Sequence, residues 1–292
     1  MIRSFLFVPA DSERKLSKAL DSGADALILD LEDSVAAANR PAARRLAVEF
    51  LQREASARAW VRINPLASAD ADRDLHAVMP GAPAGIVLPK PAGPQDSRRL
   101  ADRLTDLESE FGLEPGSTGI LPIATEQPAA MFSLADYAGV TNRLRGLTWG
   151  AEDLSAAVGA SQTRDAAGQW LPPYQLARSL CLFAAASAGV DAIDTVFTDY
   201  QDAEGLAQYA SAARRDGFRG MLAIHPAQVA VINEAFCPTD AEIERAERIV
   251  ALFASQPEAG VLGLDGEMLD KPHYTQARNL IALARRLRLE KH

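Results

Sequence analysis

Short apolar runs recur along the chain, each closed by polar or charged residues. They are SFLFVP (4–9), ALILDLED (26–33), WVRIN (60–64), GIVLPK (85–90), GILPIATE (119–126), LRGLTWGAED (144–153), AIDTVFT (192–198) and GMLAIHP (220–226). Each has an apolar centre too short for an independent helix and suited to a strand covered on both faces. Between them lie segments with apolar residues at three- and four-residue spacing, such as 12–24 and 41–55, the first with Gly23 near its end. Repeated strand–helix units predict parallel strands joined by right-handed crossovers. Eight of them favour a closed (β/α)8 TIM barrel over an open sheet, because closure leaves no edge.

The chain continues past His225. Residues 236–253 carry Pro238, a capping box of Thr239 with Glu242, and helical periodicity. Asp265-Gly266 then marks a tight turn within 261–270, and a basic helix follows over about 271–289. The expected organisation is a barrel domain over 1–234 and a C-terminal helical appendage over 235–292.

Composition narrows the function classes. The 30 Lys+Arg against 39 Asp+Glu give a net charge of −9, which argues against a general nucleic-acid binder needing a basic face. With 48% hydrophobic and 24% charged residues the chain is an ordinary globular protein. The opening reaches Pro9 and Asp11 too soon for a signal peptide, and no run approaches the ~20 apolar residues of a membrane span. Cys181 and Cys237 have no metal-ligand spacing and read as core residues of a reducing compartment. The expected location is the cytoplasm, without a nucleic-acid or membrane partner.

The strands end in charge: Asp30/Glu32/Asp33, Arg62/Asn64, Lys90, Glu126, Glu152/Asp153 and His225. In a (β/α)8 barrel those ends share the face on which active sites are built. Alternation puts Asp30 with Glu32 and Arg62 with Asn64 on common sides, but leaves open which of Glu152 and Asp153 points inward. Carboxylates without Cys/His clusters favour a hard cation, most often Mg²⁺ with Mn²⁺ as a substitute. Arg62 offers a permanent fork for a substrate carboxylate. Metal and Arg together would hold a 2-oxo acid and support enolate-type chemistry. Lys90 allows a rival Schiff-base reading, although Pro89 and Pro91 beside it give no sign of an activated amine. His225 reads as a strand-end residue, Trp149 as barrel packing, and residues 159–175 as a long connection that could close over the site.

The motifs RSFLFVPAD, LDLEDSVAAANRPAAR, VRIN, IVLPK, PIATEQPAAMF, LTWGAEDLSAAVGA, GMLAIHPAQV and DGEMLDKPH, in this order, resemble the citrate lyase β-subunit-like proteins. These are CoA-ester lyases of the HpcH/HpaI aldolase superfamily, and the resemblance runs from about residue 3 to 288. It implies a Mg²⁺-dependent lyase that cleaves a 3-hydroxyacyl-CoA to acetyl-CoA and a 2-oxo acid, coenzyme A entering as part of the substrate. By resemblance, Glu126 and Asp153 are the metal ligands, which settles the choice against Glu152. Glu126 also borders the substrate whose carboxylate Arg62 holds. Asp30, Glu32 and Asp33 match an acidic cluster that touches the metal through water. Asp270 matches an Asp that reaches a neighbouring subunit's site and acts on the acetyl-CoA methyl carbon, against the bland reading of a helix cap. The resemblance further implies a homo-oligomer, with a trimer favoured. Ala10 in VPAD and Ala124-Thr125 in ATEQ depart from commoner family forms and leave the substrate open among citramalyl-CoA, malyl-CoA and citryl-CoA types. The competing expectations are a CoA-independent 2-oxo acid aldolase and a citrate lyase β-subunit acting on carrier-bound citryl groups.

Overall fold

A computed structural model of the chain, described over residues 1–53 and 58–289, resolves it into two compact units, Ile2–Asn233 and Glu234–His292 with Met1. The first holds eight strands: β1 (Ser4–Pro9), β2 (Ala26–Asp30), β3 (Ala59–Arg62), β4 (Gly85–Leu88), β5 (Gly119–Pro122), β6 (Gly146–Thr148), β7 (Asp191–Asp194) and β8 (Gly220–Ala223). They pair in parallel in the order β5-β4-β3-β2-β1-β8-β7-β6. The seam between β5 and β6 is closed by parallel bridges, Ile120 to Leu144 and Ile123 to Thr148. There Ile120 N donates to Arg143 O at 2.8 Å and Ala124 N to Thr148 O at 2.7 Å. The result is the (β/α)8 barrel that the apolar runs predict.

Helices α1 (Glu13–Leu20), α2 (Arg40–Arg53), α3 (Asp70–Val78), α4 (Pro94–Phe111), α5 (Ala151–Val158), α6 (Pro172–Ala188), α7 (Ala203–Asp216) and α8 (Pro226–Ala235) connect and follow the strands. The last two positions of the helix predicted over 41–55 lie outside the described residues. Inside the barrel, Phe5, Ile28, Trp60, Val87, Leu121 and Leu222 belong to a single buried cluster. The Trp60 indole meets Phe5 edge-on, ring centroids 5.8 Å apart. A Cβ on Gly85 would lie 2.2 Å from that indole, so the large ring and the missing side chain are one packing solution.

One boundary differs from the sequence reading. Strand β6 is only three residues long, and Glu152 and Asp153 stand in the first turn of α5 rather than on a strand end. Their directions therefore follow a helical period, which strand alternation could not describe. Carboxylates there also complement the partial positive charge of a helix N-terminus. Residues 163–171 form a hairpin rather than an open loop. Arg164 and Trp170 bridge, Leu171 N donates to Thr163 O at 2.9 Å, and the buried Trp170 ring carries the Arg164 guanidinium 3.5 Å from its centroid. Within this connection the Trp170 indole also donates to Tyr209 Oη of α7 at 3.1 Å.

In the second unit, α9 (Asp240–Ser255) starts from the Thr239–Glu242 capping box, with both reciprocal bonds formed. Strands β9 (Val261–Leu264) and β10 (Glu267–Asp270) pair antiparallel, and α10 (Lys271–Leu289) ends the unit. The turn residues Asp265 and Gly266 have φ of 53° and 83°, the left-handed pair that a two-residue hairpin requires. Ala246, Ile249, Leu269 and Ala277 form this unit's own small core. Among the described residues, no helix is long and apolar enough to cross a membrane.

Candidate active site

Arg62 closes β3 at the barrel's C-terminal mouth, where the neighbouring β2 ends in Asp30. The two form a bidentate pair, Nε to Oδ1 at 2.6 Å and Nη2 to Oδ2 at 2.7 Å. Burial works against the Asp30 carboxylate, but Arg62, with bonds from Ser34 and Glu32, holds its pKa below the ordinary value. Beneath the guanidinium lies the Phe7 ring, 4.7 Å away. Asp30 therefore occupies one edge of the fork and orients it. The outer nitrogen, Nη1, lies 3.2 Å from Glu32 Oε2 and 3.5 Å from Asp33 Oδ2. Asn64, of the same strand parity, is instead tied into the framework, donating to Leu31 O and Asp74 Oδ2.

Glu126 is 3% exposed, and its Oε2 accepts a 2.5 Å bond from Lys90 N. Burial pushes its pKa well above the ordinary carboxylate value, and the nearby Asp153 and Glu32 charges add to the rise. Gly150 makes room for it, since a Cβ there would lie 2.9 Å from Glu126 Cγ. Asp153, three residues on, reaches the same region with its side chain about one-third exposed, 35%. Both carboxylates line a cavity of about 420 Å³ together with Arg62, Asp30, Asp33 and Trp149. Two protein carboxylates are few for a metal cage, and among the described residues no group of three His, Cys, Asp or Glu is placed to form one. Mg²⁺ needs no such cage; it is ordinarily bound by one or two carboxylates and completes its shell with water and substrate oxygens. A buried carboxylate that burial disfavours as an anion, facing a second carboxylate across a cavity, fits such a cation.

The Lys90 side chain bridges this group. Its ammonium bonds to Glu32, lies 3.1 Å from both Asp33 oxygens and 3.3 Å from Asp153 Oδ1. Burial favours the neutral amine, but the Glu32 bond and the surrounding carboxylates outweigh it and raise the pKa. A Schiff-base lysine must be neutral to attack a carbonyl, so the rival reading loses its basis. Burial also raises the Glu32 carboxyl, to about 7, against the pull of Arg62 and Lys90.

The walls are held from behind. Trp149 is fully buried and lines the cavity, so it is both packing and wall. Its Nε1 donates to Asp194 Oδ1 at 2.6 Å, and Asp194 also accepts from Arg178 and Tyr209. Neither Asp194 nor the bridging part of Lys90 was evident from the sequence. A clue was present for the latter, since five clustered carboxylates require more than one cation nearby. His225 is exposed, stacks on Tyr200 and accepts from Ala227 N, which suits a strand-end residue.

Asp270 ends β10 in the second unit. Its Oδ1 lies 2.5 Å and its own N–H 3.2 Å from His273 Nδ1, so that ring nitrogen either donates to the carboxylate or accepts from the N–H, according to its tautomer. The bond back from the third residue of α10 to the residue before it follows capping-box logic with His in place of Glu. The carboxylate itself is half-exposed.

Comparison with known proteins gives a consistent result. The profile of the HpcH/HpaI aldolase/citrate lyase family matches residues 3–226. Citrate lyase subunit beta of Escherichia coli is 34% identical over 286 residues, covering 97% of this chain and 93% of that one. The mitochondrial citramalyl-CoA lyase of Mus musculus is 30% identical over 294 residues, covering 97% and 86%. Among solved structures, protein CitE from Mycobacterium tuberculosis in complex with magnesium, acetoacetate and coenzyme A superposes with a TM-score of 0.82, at 34% identity, covering 97% of each chain. With the barrel, the acidic mouth and a match over most of its length, the chain belongs to the HpcH/HpaI aldolase/citrate lyase family.

Proposed function

We propose that this protein is a Mg²⁺-dependent carbon–carbon lyase that cleaves a 3-hydroxyacyl-CoA to acetyl-CoA and a 2-oxo acid. The observation that carries the reading is the convergence of Glu126, Asp153 and Arg62 on one cavity, two carboxylates for a hard cation beside a fork for a carboxylate. The magnesium, acetoacetate and coenzyme A bound by the M. tuberculosis relative, and the citramalyl-CoA lyase among the similar enzymes, support the substrate class.

Glu126 and Asp153 would hold the cation. When bound, it would supply Lewis-acid polarisation of the oxygen on the carbon being cleaved. Arg62, oriented by Asp30, binds the carboxylate of the 2-oxo acid portion through Nη1, the one guanidinium nitrogen outside that pair. Cleavage releases the hydroxyl proton to solvent at the cavity mouth, turns the C–O bond into a carbonyl, and breaks the bond to the acyl-CoA α-carbon, which keeps the electron pair. That carbon leaves as the acetyl-CoA enolate and takes up one proton. Asp270, contributed by a neighbouring copy in a homo-oligomer, delivers this proton and removes it in the reverse direction. Family resemblance supports that assignment, together with the partial exposure of a carboxylate that has a histidine beside it. The C-terminal unit thereby completes the site of another subunit.

The test is to incubate the protein with citramalyl-, malyl- and citryl-CoA thioesters and follow 2-oxo acid and acetyl-CoA release with and without Mg²⁺. Stoichiometric, Mg²⁺-dependent release from at least one thioester is expected. Cleavage of free hydroxy acids at comparable rates, or release that persists in chelator, would refute the reading.

A further inference from the structure

Lys90 has a backbone φ of +49°, in the left-handed region that a residue with a Cβ seldom adopts. Pro91 follows it and disfavours the right-handed helical alternative. In this conformation one residue serves both halves of the proposed metal site. Its N–H bonds to Glu126 Oε2 at 2.5 Å, and its ammonium lies 3.3 Å from Asp153 Oδ1 while bonding to Glu32 and Asp33. Five carboxylates (Asp30, Glu32, Asp33, Glu126 and Asp153) meet here, and Arg62, committed to Asp30 through two bonds, has only Nη1 left to share between Glu32 and Asp33. The other three acidic side chains within reach of the ammonium need a positive charge whether or not a metal is bound.

We infer that the Lys90 ammonium is the built-in counter-ion of the metal site. It balances and spaces the acidic cluster when no divalent cation is bound, and gives up Asp153 when one binds. This rests on the assignment of Glu126 and Asp153 as metal ligands. Lys90 is accordingly a positioning residue that acts through the carboxylates, and it lowers metal affinity in exchange for order in the metal-free state. A merely structural lysine would behave in the opposite way, since its loss would disorder the ligands and weaken binding.

Calorimetric titration with MgCl₂ alone separates these cases. Wild-type protein should bind Mg²⁺ and Asp153→Asn should lose that binding, which checks the metal site itself. Lys90→Met should then bind about tenfold more tightly or better, because a positive charge within a few ångströms of the cation has been removed. In the absence of metal it should melt below the wild type, and it should gain more on adding Mg²⁺. Lys90→Gly, which relieves the left-handed backbone, carries the same affinity expectation should the methionine variant fold poorly. Lys90→Arg, which keeps the charge, should stay near wild type. Equal or weaker Mg²⁺ affinity in both uncharged variants, with Asp153→Asn still defective, overturns the inference and leaves the metal site standing. Wild-type affinity in Asp153→Asn overturns both.

Discussion

At the scale of single residues, the site depends on how each charge is held. Arg62 is oriented by a bidentate pair with Asp30 and backed by Phe7, so its planar fork matters beyond its charge. Arg62→Lys keeps the charge and loses the fork. It should cost about 2–4 kcal/mol in transition-state stabilisation, measured from kcat/KM, and an unchanged value would remove Arg62 from the substrate. Glu126 yields a pH prediction. Burial raises its pKa well above the ordinary 4.5, so protons compete with a cation for its carboxylate. Mg²⁺ affinity should fall as pH is lowered toward that raised value, with protons released on binding, as buffer-dependent calorimetry would detect. Affinity independent of pH would contradict the ligand assignment. The residue identities were legible in the sequence because charge closing one apolar run after another, in a repeating βα pattern, marks the mouth of a barrel. The partnerships were not. That Asp30 serves Arg62, and that Lys90 spans Glu32, Asp33 and Asp153, depends on side chains from different strand–helix units meeting at the mouth.

At the scale of elements, the eight apolar runs gave the strands because a doubly covered strand needs little else. The sixth run misled where strand passes into helix. Gly150 lets α5 begin immediately after β6, and its lack of a side chain accommodates Glu126. Its φ of −126° suits any residue, so Gly150→Ala carries no backbone penalty and acts only through contact. The added methyl should displace Glu126 and weaken Mg²⁺ binding roughly 10–100-fold, as losing a group that positions a ligand does, with little change in circular dichroism. A second element-scale device holds the barrel seam. Arg143, whose carbonyl accepts the β5 bond from Ile120, forms a buried bidentate pair with Glu108 of α4, both distances 2.7 Å. Glu108 also accepts from Gly116 and Thr118 N–H groups. Arg143→Ala leaves that carboxylate buried without its cation and should destabilise the barrel by about 3–5 kcal/mol in denaturant titration. Burial opposes the Glu108 anion, but Arg143 and the N–H groups win and bring its pKa from 4.5 to about 2. A lowered folded-state value means the pair contributes fully above 4.5 and is lost as pH falls toward about 2. The variant should therefore show less acid destabilisation across that window than the wild type, and parallel curves would argue against it.

At the scale of the whole molecule, the chain joins a barrel that carries the acidic mouth to a smaller unit that carries Asp270. If Asp270 works in a neighbouring copy, mixing inactive Asp270→Ala with inactive Glu126→Ala subunits should regenerate some complete sites and recover activity. Mixed oligomers that form and stay inactive would confine Asp270 to a cap of α10. In the proposed function, the carboxylates at the barrel mouth hold the cation beside the arginine that holds the 2-oxo acid. A crystal structure of the protein with Mn²⁺ and pyruvate tests it most directly, because the anomalous signal of manganese locates the ion independently of any assumed ligand. The manganese peak should be bound by Glu126 and Asp153, with the pyruvate carboxylate on Arg62. A manganese peak elsewhere, or pyruvate bound away from Arg62, would contradict it.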